Sequence, residues 1–206
     1  MTTSNRTHDG YPVPTASDLV VARAELSEFV RFKAIETEES VGFGFTGCPD
    51  APSEYQQLRG AYADSVATKT PLPIYSEHCD TSIYLAPKDN MCLRFWHDVH
   101  HLKLGLSFNL DDELELATWH CLQLERAGFD PAGTAWRLFR ADLVGQIFLM
   151  AIHKRFPHNQ RRFAETCLVH GFDVGILDEI RFIPDASITP SGPEDGGEGK
   201  LALVRS

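Results

Sequence analysis

The sequence predicts an all-α fold, a single mainly helical domain interrupted by a short extended, β-type connection. Three observations predict it. Apolar residues recur at helical spacing over most of residues 17–183. Capping residues, glycines and prolines punctuate the stretches between them. The 206 residues, 43% hydrophobic and 23% charged, are enough to bury one substantial core.

Taken in order, residues 1–16 contain Pro12 and Pro14 and few apolar anchors, and read as a loose N-terminal arm. Ser17 or Asp18 caps a helix running to about Ala34, with Leu19, Val20, Ala22, Leu26, Phe29 and Val30 at helical spacing. "SVGFGFTGCPDAPS" reads as a loop, and Ser53 as the cap of a second helix. Thr68–Asp89 holds Pro71, Pro73 and Pro87 and reads as the extended connection, with a β-type run at Ser82–Leu85. Helices resume over about 90–104, 111–127, 134–156 and 158–170, with a short one near 174–179. The Pro/Gly-rich acidic stretch 184–206 has little to bury and reads as a disordered tail.

Charge and composition exclude several functions. A net charge of −10 opposes the phosphate backbone, so general nucleic-acid binding is not expected. Residues 126–162 run against that trend, with seven Lys/Arg against two Asp/Glu. A solvated helix end accounts for this, and a local surface for an anionic ligand or acidic partner is the sharper reading. The longest nearly apolar run, Leu143–Ile152, is about half of what spans a bilayer, so no transmembrane segment is expected. The amino terminus lacks the plan of a signal peptide, and five scattered cysteines read as reduced thiols, which together suggest a cytoplasmic protein. No P-loop, dinucleotide glycine fingerprint or G-x-S-x-G is present. Nothing in the sequence fixes an oligomeric state.

The chemistry concentrates in "RFWHDVHHLKLGLSFNLDDE". His97 and His101, four residues apart, project from one helical face, a spacing at which two imidazoles share a metal ion. Asp98 can ligate, act as a base on bound water, or pair with Arg94 one turn before it. Asp111 and Asp112 are accounted for by the start of the next helix, where carboxylates favour the dipole. Glu113 and His120 instead lie on an otherwise apolar stripe and need partners if buried. Asp142 and Gln146 interrupt the packing face of a later helix in the same way. Polar residues facing a bundle core are how metal sites are built in helical proteins. Two imidazoles and a carboxylate suit zinc, and iron or manganese accept the same set.

His97-Asp98-x-x-His101, eleven residues, then Glu113 is the pattern HDxxH-x11-E, which resembles the signature of the coenzyme Q biosynthesis protein 4 family. The resemblance spans about twenty of the 206 residues and includes Gly105, placed where that family tends to have a glycine. It implies an all-helical fold and a divalent metal, usually taken as zinc, held by His97, Asp98, His101 and Glu113. His120, Asp142, Gln146 and His78 are then supporting or alternate ligands. A second resemblance is to the HD-superfamily phosphohydrolases, with His78, His97-Asp98 and Asp142 in the metal-binding parts and residues 126–162 holding the phosphate.

Three functions follow as expectations. The first is a metalloenzyme acting on a small-molecule or lipid-like substrate, which calls for a pocket lined by Trp96, Trp119 and Phe139. The second is a metal-dependent phosphohydrolase, which calls for His78 and Asp142 beside His97. The third is a non-catalytic interaction protein whose polar core residues pair only with one another.

Overall fold

Helix α1 spans Ala16–Val41 and begins with a reciprocal cap, in which Thr15 and Asp18 each accept the other's backbone N–H. The cap therefore falls two or three residues before the expected one, with Asp18 as its second half rather than its first. The helix also runs past Ala34, since Thr37 remains on its buried side, and it stops at Gly42 with φ 78°. In the computed structural model residues 5–182 are described, and within them lie seven helices and one two-stranded sheet. The mainly helical single domain expected from the sequence is what they form.

The sheet was not anticipated at both strands. β1 (Phe45–Cys48) lies in the stretch read as a loop, and β2 (Leu72–Tyr75) lies in the extended connection. They pair in parallel, Phe45 opposite Leu72, with helix α2 (Tyr55–Thr68) as the crossover. A two-stranded sheet tolerates Pro73, whose missing N–H removes little from a ladder this short. The β-type run Ser82–Leu85 is not a strand. Its backbone is satisfied by side chains of α1 instead: Arg23 donates to the carbonyls of Ile83 and Tyr84 at 2.8 and 3.1 Å, and Ser27 Oγ accepts from Leu85 N–H at 2.9 Å.

The remaining helices are α3 (Pro87–Leu104), α4 (Leu110–Arg126), α5 (Thr134–His153), α6 (Gln160–His170) and α7 (Phe172–Arg181). α3 starts with proline, tolerated where no intrahelical N–H bond is needed, and ends at Gly105 with φ 72°. α4 and α6 start on Asn109 and Asn159, whose side chains accept backbone N–H groups. α1 packs on both α3 and α5, while α5 also carries α4, α6 and α7. Leu26, Phe95, Trp96, Leu138 and Phe139 fill the space between.

Two features go beyond the sequence reading. Residues 5–13, expected to belong to a loose arm, are pinned to the domain. Arg6 and Pro12 form an antiparallel bridge, His8 N–H donates to Val169 O at 3.0 Å, and Asp9 pairs with Arg137 at 2.7 Å. Three of the seven basic residues of the stretch 126–162 pair with acids from elsewhere, Arg155 with Glu179, Arg162 with Asp178 and Arg137 with Asp9. Among the described residues no helix is long and apolar enough to cross a membrane. All five cysteines are free thiols. The acidic tail 184–206 lies outside the described residues.

Candidate metal centre

α3 and α4 meet through polar residues on facing sides. His97 and His101 sit one turn apart on α3, and Glu113 sits in the first turn of α4, on the stripe that also buries Leu116, Ala117, His120 and Leu124. The turn at Gly105–Asn109 reverses the chain, which brings the start of α4 back to the end of α3. The three side chains are 1%, 0% and 0% exposed.

Their ligand atoms converge, all within 4.8 Å of one another. His97 Nε2 and His101 Nε2 are 2.7 Å apart, and Glu113 Oε2 lies 3.5 and 3.6 Å from them. Two ligands of a tetrahedral zinc ion, each at about 2.0–2.1 Å, lie about 3.3–3.4 Å apart. The carboxylate spacings match that geometry. The imidazole pair is shorter by roughly 0.6 Å, a gap that a small ring rotation opens. At 2.7 Å the two nitrogens share one proton; with a cation between them both would present lone pairs.

The far ring nitrogens are also engaged. His101 Nδ1–H donates to Leu106 O at 3.1 Å, and Leu106 N–H returns to His101 O at 2.9 Å. This closed pair depends on the left-handed turn at Gly105, and it fixes the tautomer that leaves Nε2 free to ligate. His97 Nδ1 lies 3.1 Å from His120 Nε2, so His120 orients the first histidine across the α3–α4 interface. The His120 ring is itself seated on Trp96, with centroids 4.0 Å apart.

Burial and mutual contact set the charges at the site. Burial, reinforced by the neighbouring His101, pushes His97 down to about 4, so it is neutral at neutral pH. Burial and the surrounding imidazoles hold His120 far below the ordinary histidine range. Burial acts to raise Glu113, but hydrogen bonding and charge from His101 and His97 overcome it and keep the carboxyl low. The result is a buried carboxylate facing two imidazole nitrogens. A carboxylate this deeply buried favours positive charge close by, which a divalent ion between the three atoms would supply.

The other sequence candidates fall outside this group. Asp98 is half-buried, interacts with Arg94, and is not among the convergent ligand atoms. His78 is exposed in a left-handed conformation, φ 56°, with its ring beside Tyr75. Asp142 is buried near Arg94 and accepts from Gln146 Nε2 at 2.9 Å; burial pushes its carboxyl up to about 7. The set of His78, His97-Asp98 and Asp142 therefore does not assemble. His100, unassigned by spacing, donates to Trp96 O at 2.7 Å and stacks on Trp119. Trp96 and Phe139 are core residues, 1% and 0% exposed, rather than pocket walls.

Arg94 and Leu106 were missed as structural supports. Arg94 is 1% exposed and donates to the carbonyls of Tyr75 and Glu77 at 2.6 and 3.0 Å, tying α3 to the end of β2. Its place four residues before Asp98 signalled only an ion pair. Leu106 acts through a backbone carbonyl, for which side-chain identity carries no signal. Comparison with protein-family models, curated proteins and solved structures gives no match to this chain.

Proposed function

We propose that this chain is a zinc-type divalent-metal protein and that its ion is catalytic toward a small or lipid-like substrate. The observation that carries the proposal is the convergence of two buried imidazole nitrogens and one buried carboxylate oxygen on a common point. Structural zinc sites use four protein ligands, usually with cysteine, whereas three nitrogen and oxygen ligands leave a position for water or substrate. When bound there, the ion would supply Lewis-acid polarisation of a substrate oxygen or of water.

The chain's own residues have separable parts in this reading. His97, His101 and Glu113 hold the ion, while His120 and the Leu106 carbonyl orient the two imidazoles. Asp98, half-buried next to His97 and interacting with Arg94, is the candidate base. Half-buried Asp98, His100, Phe108 and Trp119 form the outer layer that a substrate must displace or pass. The HDxxH-x11-E resemblance to the coenzyme Q biosynthesis protein 4 family supports the metal assignment and a lipid-like substrate. The pathway is not carried over, because the likeness is confined to this stretch.

Cobalt substitution tests the catalytic half of the reading. A vacant position predicts that azide changes the visible spectrum of the cobalt-loaded protein saturably. An unchanged spectrum at saturating azide would mean a closed, structural site.

A further inference from the structure

A sizeable cavity lies away from the metal centre, between α1 and the turn joining α4 to α5. It encloses about 680 Å³, within the range of small-molecule sites. Its walls are of two kinds. Phe29, Phe32, Phe129 and Trp136 supply aromatic surface, and Phe29 and Phe129 meet edge to face at 5.5 Å. Glu25, Glu28, Asp18 and Asp130 supply carboxylates, and no lysine or arginine lines the space.

The two glutamates stand out from the other acids. Asp18 caps α1 with Thr15, and Asp130 accepts the Ala132 N–H. Glu25 and Glu28 make no hydrogen bond or ion pair among the described residues. Phe32 is 55% exposed at the mouth, a large apolar ring left in water beside them. The same rings already attract an ammonium at their margin: Lys33 Nζ lies 5.6 and 5.7 Å from the Phe29 and Phe32 centroids, and is ion-paired to Glu36.

We infer that this cavity binds a small organic cation, an alkylated ammonium carrying an apolar body. Aromatic faces attract such a cation through the ring quadrupole, and a methylated ammonium loses less hydration on entry than a bare one. The carboxylates supply the opposite charge, and the apolar body covers Phe32 and Trp136. An anion is opposed by the same carboxylates, and a neutral molecule gains no attraction from them. Phe29, Trp96 and His120 stand in successive ring contact between this cavity and the metal ligands, so the two sites are distinct.

Isothermal titration calorimetry of the full chain with benzyltrimethylammonium tests the inference, with benzyl alcohol and benzenesulfonate as neutral and anionic controls. Saturable binding is expected, at least about tenfold tighter for the cation than for the alcohol, with no binding of the sulfonate. Glu25→Gln/Glu28→Gln should weaken the cation about tenfold while the circular dichroism spectrum stays that of the wild type. Phe32→Ala should weaken it as well. Equal binding of cation and alcohol, or no effect of the double substitution, would overturn the inference. Binding of a basic amphipathic peptide with the small cation silent would also overturn it, and would give the face to a protein partner.

Discussion

At the residue scale, Glu113 says most when replaced, because it is buried whether or not an ion is present. Its carboxyl is held low by His101 and His97, so the folded state favours the ionised form. Glu113→Gln is therefore expected to cost the metal-free protein stability, by about 1 kcal/mol or more. It should also weaken zinc by at least about a hundredfold. Thermal melts with and without zinc check both at once; a metal-free variant as stable as the wild type, or an unchanged zinc-induced stabilisation, would contradict these roles. His120 touches only the far side of His97. Its replacement by alanine should lower zinc affinity roughly 10–100-fold while full loading remains attainable at high zinc, as a titration would show.

Asp142 belongs to the same scale and has a defined pH signature. Its carboxyl sits at about 7 in the folded protein against an ordinary value near 3.8. A raised carboxyl keeps its proton on folding, so its contribution to stability is complete below about pH 4 and is lost as pH rises towards 7. The loss is at most about 4 kcal/mol at 1.4 kcal/mol per unit. Asp142→Asn keeps an acceptor for Gln146 and removes the titration. The variant should therefore gain stability relative to wild type between about pH 4 and pH 8 in urea denaturation. A constant difference would mean that Asp142 ionises normally.

At the element scale, the α3–α4 turn sets the site, and Gly105 is its pivot. A Cβ there meets nothing within 4 Å, so Gly105→Ala costs only the left-handed conformation, about 1 kcal/mol. Because the same turn delivers the Leu106 carbonyl to His101, the substitution should also weaken metal binding. Stability lost without any change in zinc affinity would separate the turn from the site. This element was well read from the sequence, since the helical repeat places His97 with His101 and Glu113 with His120 whatever surrounds them. The segments around it were read less well. Thr15 took the cap from Ser17 because Asp18 could answer it, and the buried Thr37 carried α1 beyond Ala34. β1 was hidden because "FTGC" acquires strand character only from its distant partner Leu72–Tyr75. Ser82–Leu85 looked like a strand because its apolar residues are buried, yet Arg23 and Ser27 satisfy its backbone in place of a neighbouring strand.

At the scale of the whole molecule, α5 is the post on which α1, α4, α6 and α7 assemble, and the candidate ion joins α3 to α4 at one side of it. Residues 5–13 could not be seen as part of this assembly from composition, because their hold depends on Arg137, more than a hundred residues away. The large cavity was equally illegible. Glu25, Glu28 and Phe32 look like an ordinary solvated helix face until Phe129 and Trp136 close the other wall. The metal claim joins the scales, because it requires three residues from two helices to act as one unit. Elemental analysis of the purified full chain, reconstituted with zinc and freed of unbound ion, tests it most directly. The account predicts about one zinc per chain in the wild type, lost in His97→Ala/His101→Ala and in Glu113→Gln. A wild type that retains no stoichiometric metal after reconstitution, or triad variants that retain it fully, would contradict the account.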